Sequence, residues 1–313
     1  MIAATASVLI PVLFVVLLGY AAGRARNFDG NQVAGINELV LDFALPASLF
    51  VGIVGISRTE LAASLSFLLV VLAALVITYA IAVAMGRLLL HLVPGAAALF
   101  ALSASFPAAP FFGPAVLGRL FGSSSALSIS SVAIVANVVL VPISLVVLEA
   151  SGSSRPPRAV LGHAVAHSAR QPFVWMPVLA FLLVLSGANV PDIVKSMLNL
   201  IGETTSGLAL FVAGLLLAAH SFRLNLAVTV GTSLKSLGQP ALMLGLALLV
   251  GLHKPLASQG VVAMALSSAV IATMLAPRYK LFQSEAASTM LASSVLMLLV
   301  LPAWLWITGS ITP

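Results

Sequence analysis

Apolar residues in this chain fall in long runs, with no sustained alternation of period two. The runs cover about 6–23, 33–54, 66–90, 96–121, 126–148, 171–188, 196–219, 227–251, 257–277 and 285–308. Each approaches or exceeds the ~20 residues that a helix needs to cross a hydrocarbon core. The pattern predicts an all-α polytopic membrane protein of ten transmembrane helices with mostly short connections. The longest connection separates two halves, 1–150 and 171–313. Residues 151–170 contain a Pro156-Pro157 breaker and a stretch that suits a cytoplasmic linker with an interfacial helix.

Composition agrees with that reading. Of 313 residues 61% are hydrophobic and 7% charged, whereas a soluble domain carries roughly 25% charged residues. The net charge of +6 comes from basic residues scattered singly, so no nucleic-acid surface is implied. There are no cysteines, which excludes disulfides and thiolate metal sites. The run from Ala6 to Gly23 has no basic residue before it and no small-residue cleavage site, so it reads as a retained helix. With both termini outside, ten of the 14 Lys and Arg lie on the inner side, among them Arg24, Arg87, Arg155, Arg223 and Arg278. The positive-inside rule therefore predicts an inner (plasma) membrane protein with periplasmic or extracellular termini.

The fourth span contains Phe106-Pro107-Ala108-Ala109-Pro110-Phe111-Phe112-Gly113-Pro114. Three prolines in eight residues remove ladder donors at membrane depth. A break there is tolerated only against protein or a water-filled cavity, so this stretch is a candidate substrate site. A spacing of 161 recurs along the chain: Leu49-Phe50-Val51 matches Leu210-Phe211-Val212, and Arg119-Leu120-Phe121 matches Lys280-Leu281-Phe282. Two halves of five spans each must be inverted relative to one another, the plan of many secondary transporters. The same offset carries the proline-rich break onto Ser267–Thr273 in span nine. No proline lies there before Pro277, so a second break has to rest on small and hydroxyl residues.

A few polar residues fall inside the runs. Glu38 and Asp42 are four apart in span two, and the offset takes Asp42 to Glu203. Intramembrane carboxylates are costly and are candidates for proton or cation coupling, although Glu38 and Glu203 also sit near enough to helix ends to reach the interface. Lys235 suits pairing with a carboxylate, attraction of an anion or snorkelling to the interface. Asn137, near the centre of span five, is expected to hydrogen-bond across helices. His163 and His167 are spaced for a metal but lack a His-Glu-x-x-His signature, and they fit the surface helix of the linker better. No metal site or other cofactor is expected. Without a Walker motif or clustered catalytic groups, neither ATP drive nor intramembrane enzyme chemistry is expected.

Four segments resemble the auxin efflux carrier family. Asn37 to Ala47 is similar to its N-x-x-V-x-x-x-x-L-P-A second helix, and Gly113 to Gly122 resembles its fourth helix. Ala269 to Tyr279 resembles its A-V-x-x-x-x-L-A-x-R-Y signature, and Lys235 with Pro240 its eighth helix. The Phe106-Pro107 stretch is closest to the bacterial malonate-transporter branch of that family, within the bile-acid, arsenite and riboflavin transporter superfamily. The resemblance implies broken, crossing helices four and nine and an elevator-type carrier of small organic anions, malonate-like or auxin-like. The site it implies comprises Pro107, Ala108, Ala109 and Pro110 with Ser267, Ser268 and Ile271. Relatives place asparagine at the crossing where this chain has Ala108 and Ile271, so Ser103, Ser105, Ser267, Ser268 and Thr273 are the candidate replacement donors. The partners implied are an organic anion, membrane lipid and a coupling proton or sodium ion, with a homodimer left open. The alternative is a sodium- or proton-coupled cation or bile-acid-type transporter of related fold, using Asp42, Glu38 and Glu203 as ion ligands.

Overall fold

A computed structural model describes residues 2–59, 65–151, 166, 169–219 and 223–311. His163, His167 and nearly all of the 151–170 linker lie outside the described residues. Regular structure among the described residues is helical, with sixteen α-helices and no strands beyond one isolated bridge.

The first half contains α1 (Ile2–Arg24), α2 (Gly30–Leu39), α3 (Leu45–Val54), α4 (Leu65–Ala84), α5 (Pro94–Ser105), α6 (Ala109–Phe121), α7 (Ser125–Val135) and α8 (Val141–Ser151). The second contains α9 (Pro172–Ser186), α10 (Asp192–Gly202), α11 (Thr204–Ala219), α12 (Leu226–Ser233), α13 (Gln239–Val250), α14 (Lys254–Ala265), α15 (Ile271–Tyr279) and α16 (Gln283–Ile311).

Five continuous rods of 25 residues are apolar and long enough to cross a bilayer: Gly30–Val54, Leu65–Leu89, Leu127–Ser151, Asp192–Leu216 and Leu226–Val250. A sixth is α16, bent by 53° between Met297 and Leu299. Pro302 explains the bend, because its ring collides with the carbonyl four residues earlier, that of Leu298. Phe14–Arg24, Pro94–Ser105 and Val174–Ser186 are shorter apolar helices.

Prolines inside three of the rods are absorbed by π turns. Val40–Ala44, Ala136–Leu140 and Leu234–Gly238 are π-helical and precede Pro46, Pro142 and Pro240. In each, the residue before the proline donates five residues back: Leu45 to Val40, Val141 to Ala136 and Gln239 to Leu234. The wider turn gives the ring room that an α-turn denies it. The Ser236 carbonyl, four residues before Pro240, accepts instead from Trp304 Nε1 at 3.1 Å. Asp42, Asn137 and Lys235 all sit within these π turns.

The centre of the molecule is built from the broken helices. Gly95–Ser105 of α5, Ala257–Ala265 of α14 and Ile271–Ala276 of α15 are buried throughout. Around them α1 packs on α11, α9 on α3, α4 on α5, and α13 on α14. The α1–α11 contact is close enough to need glycine. A Cβ at Gly19 would lie 2.1 Å from the Phe211 carbonyl oxygen, and one at Gly214 2.1 Å from that of Val16. Without lipid-excluded area to gain, small residues let the backbones approach and pack.

Candidate substrate site where two helix breaks meet

The first break lies between α5 and α6. Pro107 has no N–H to continue the ladder, and it drives Phe106 into the extended region (φ −91°, ψ 107°), so α5 ends at Ser105. Ala108 (φ −75°, ψ 36°) precedes α6, whose first turn includes Pro110. The second break lies between α14 and α15 and needs no proline. Leu266 turns out of the helix (φ −62°, ψ 155°). The next two amides leave for α16: Ser267 N donates to Met297 Sδ at 3.2 Å and Ser268 N to Ser293 Oγ at 3.0 Å. As the sequence requires, this break rests on small and hydroxyl residues.

The two breaks pair with each other. Pro107 and Ser268 form an antiparallel bridge, with Ala108 N donating to the Ser267 carbonyl and Ala269 N to the Phe106 carbonyl, both at 2.9 Å. α6 and α15 both start within a few residues of this bridge. Neither has a side-chain cap at Ala108 or Val270. Their first-turn amides therefore present partial positive charge at the crossing.

Below the bridge a cavity of about 10 Å³, room for one water, is lined by Phe106, Val270, Ile271, Met274, Asn137 and Thr205. Thr205 is 1% exposed and its Oγ1 has no partner. A second cavity of about 320 Å³ opens at the other end of α15, where Asn37, Glu38, Leu41, Pro277 and Arg278 line it. Between the two, Asn37 Nδ2 donates to the Met274 carbonyl at 3.0 Å, tying span two to α15.

The residues picked out from sequence divide sharply. Ile271 and Asn137 line the crossing cavity, and Pro107, Ala108, Ala109, Ser267 and Ser268 form or flank the bridge. Ser267 and Ser268 keep buried hydroxyls with no partner. Ser103 and Ser105 do not offer free hydrogens, because they donate to Leu99 and Ala101 one turn back, a habit of buried helical serines. Thr273 reaches only the Met290 sulfur, at 4.0 Å. Asn137 bonds within its own helix, donating to the Ala133 carbonyl at 2.8 Å rather than across helices. Its π turn leaves that carbonyl within reach of the side chain.

Among the ionisable residues, Asp42 is paired with Arg278 at 3.6 Å, both partly exposed. Glu38 is exposed on the wall of the larger cavity. Glu203 is exposed and accepts from Asn199, which is the helix-end environment. Lys235 does not snorkel. It is fully buried, and its Nζ donates to the Met264 carbonyl at 2.6 Å.

Sequence reasoning missed Thr205, Asn37 and Gln239. Thr205 lies two residues after Glu203 and was overshadowed by that charge. Asn37 was visible only as a motif letter. Gln239, fully buried, donates through Nε2 to the Ser105 carbonyl. Its place directly before Pro240 was the available signal.

Apolar rods of membrane-spanning length around two paired helix breaks define a polytopic membrane protein of the transporter class. A family model described as "Membrane transport protein" matches residues 5–305, and the chain belongs to that family, in agreement with the auxin efflux carrier resemblance. It is 31% identical over 302 residues to "Uncharacterized transporter YfdV" of Escherichia coli (strain K12), covering 96% of each chain. The identity is 21% over 305 residues to "Putative malonate transporter" of Rhizobium meliloti (strain 1021), covering 96% of this chain and 95% of that one.

Proposed function

We propose that this membrane transporter is a secondary carrier of small organic anions, mono- or dicarboxylates of the malonate type or auxin-like acids. The observation that carries this reading is the meeting of two uncapped helix N-termini beside a buried cavity with a free Thr205 hydroxyl. Half-helix N-termini aimed at anionic groups are a recurrent device of such carriers. In this site backbone amides do the recognition that side-chain amides perform in relatives, with Ser267, Ser268 and Thr205 adding hydroxyls. The name of the Rhizobium relative favours malonate as the first substrate to try.

The carrier cycles as ten spans in two inverted five-span repeats, 1–150 and 171–313. Support comes from matched packing: α1 on α11 corresponds to α9 on α3, α4 on α5 to α13 on α14, and α5 on α8 to α14 on α16. One group of helices, α1–α3 with α9–α11, acts as scaffold. The other, α4–α8 with α12–α16, carries the crossing between the two sides in an elevator-type movement. The cavity at Arg278 is the cytoplasmic vestibule, both termini are periplasmic, and Asp42, beside Arg278, handles a coupling proton.

Uptake of labelled carboxylates into proteoliposomes tests the assignment. Saturable uptake of malonate or a related acid is the expected result. Correctly inserted protein that moves no member of the panel would sink the anion reading.

A further inference from the structure

Four half-helix ends meet at the bridge, and their charges oppose one another. The N-termini of α6 and α15 each carry about half a positive charge, and the C-termini of α5 and α14 about half a negative one. Left alone, such a junction has almost no preference for an anion. Span eight changes that balance. Lys235 sits on the Met264 carbonyl in the last turn of α14, and Gln239, one turn further along, sits on the Ser105 carbonyl that ends α5. Both side chains are fully buried. Lys235 has no carboxylate partner among the described residues, and its head group contacts the α14 C-terminus. Half-helix C-terminal ends are also where coupling cations are held in carriers built from broken helices.

We propose that Lys235 and Gln239 set the charge selectivity of the crossing. They neutralise the C-termini of α5 and α14, and so leave only the positive ends of α6 and α15, with the unpartnered Thr205 hydroxyl, to face the substrate. Lys235 Nζ occupies the place on the Met264 carbonyl where a free metal cation would otherwise sit, and transport needs no sodium. This inference rests on the anion reading of the same site. Neither residue touches the substrate in this arrangement, so both are positioning residues that act through the field of the crossing. Lys235 fills that role better than arginine would, because its compact head group can cap a single helix end without a second acceptor. The π turn before Pro240 aims the two side chains at two different helix ends.

Proteoliposome uptake of malonate and of its monoamide separates charge selectivity from general damage. Wild type is expected to prefer the dianion at least tenfold in Vmax/KM and to keep its flux within twofold when choline replaces sodium. Lys235→Met, nearly isosteric but with no hydrogen to donate, should cut that preference at least tenfold through KM while the monoamide is carried as before. Gln239→Glu, which places a carboxyl group on the α5 end, should cut it too and make flux sodium-stimulated. A wild-type flux that stops in choline, or an unchanged preference in both folded variants, overturns the proposal. If Lys235→Met fails to insert, Gln239→Glu and the choline experiment still decide it. Wild-type protein that carries neither compound from the panel defeats the anion reading itself, which is a different outcome.

Discussion

Pro107 and Ser268 are bridged in space and stand 161 residues apart in sequence. The two hydrogen bonds beside them, Ala108 to Ser267 and Ala269 to Phe106, exchange places under the same shift. The spacing at which the two halves align is therefore also the spacing at which their breaks pair. Chemically the partners are unlike, since proline breaks its helix by lacking a donor and Ser268 by sending its own to Ser293.

Ala108→Pro isolates one of these bonds. The residue already has φ −75°, within the range of the proline ring, so the substitution removes the donor to Ser267 with little change in φ. A loss of about 1–3 kcal/mol is expected from the buried carbonyl left unpaired. It should appear as a lower thermal midpoint in detergent together with a loss of uptake.

Asn37→Ala should loosen the partition between the two cavities. It deletes the bond to Met274 that ties span two to α15. Because the chain has no native cysteine, a single Ile271→Cys reporter in the crossing cavity reads this without background. Thiol modification by a polar reagent is expected to run at least several-fold faster with Asn37→Ala than without it.

The carboxylates should separate by environment. Asp42→Asn is expected to abolish accumulation driven by an imposed pH gradient while substrate exchange persists. Its direct effect on stability should be within about 1 kcal/mol, as for other partly exposed ion pairs. Glu203→Gln, at an exposed helix end, should stay within twofold of wild type in both assays. A pH gradient that still drives accumulation in Asp42→Asn would remove Asp42 from the coupling step.

Gly214→Leu tests the α1–α11 contact. Its first new carbon would lie 2.1 Å from a backbone oxygen, which no rotamer relieves. Separation of the two helices and a loss of roughly 1–3 kcal/mol or more follow, measurable as a lower midpoint and reduced yield of inserted protein. Gly245, with open space around its Cβ position, is the control and should tolerate alanine.

Much of this organisation was legible in the residues. Uninterrupted apolar runs gave the helical membrane class, since only helices and closed barrels satisfy backbone groups in hydrocarbon and a barrel strand would alternate. Pro107 marked the first break because a missing N–H is a local property. The offset located the second, although its cause lies with Ser293 and Met297 on a distant helix. Side-chain partners were less readable. Ser103 and Ser105 sat in the right place, yet their hydrogens are spent on their own helix, a choice set by burial and rotamer. Lys235 could be read three ways because pairing, anion attraction and snorkelling differ only in which direction the side chain points. The π turns were hidden as well, since a proline in a helix specifies a defect without specifying its form.

The crossing cavity has room for one water, and that has a thermodynamic consequence for any ligand. For a dicarboxylate of the proposed kind to enter, span two and α11 would have to draw back from α15, so the closed form would compete with binding. Apparent affinity is then intrinsic affinity scaled by the open fraction. If one molecule in a hundred is open, the measured dissociation constant is about a hundredfold weaker than the site itself allows. Weak observed binding would in that case record the cost of opening, and changes that favour the open form would tighten it without adding a single contact.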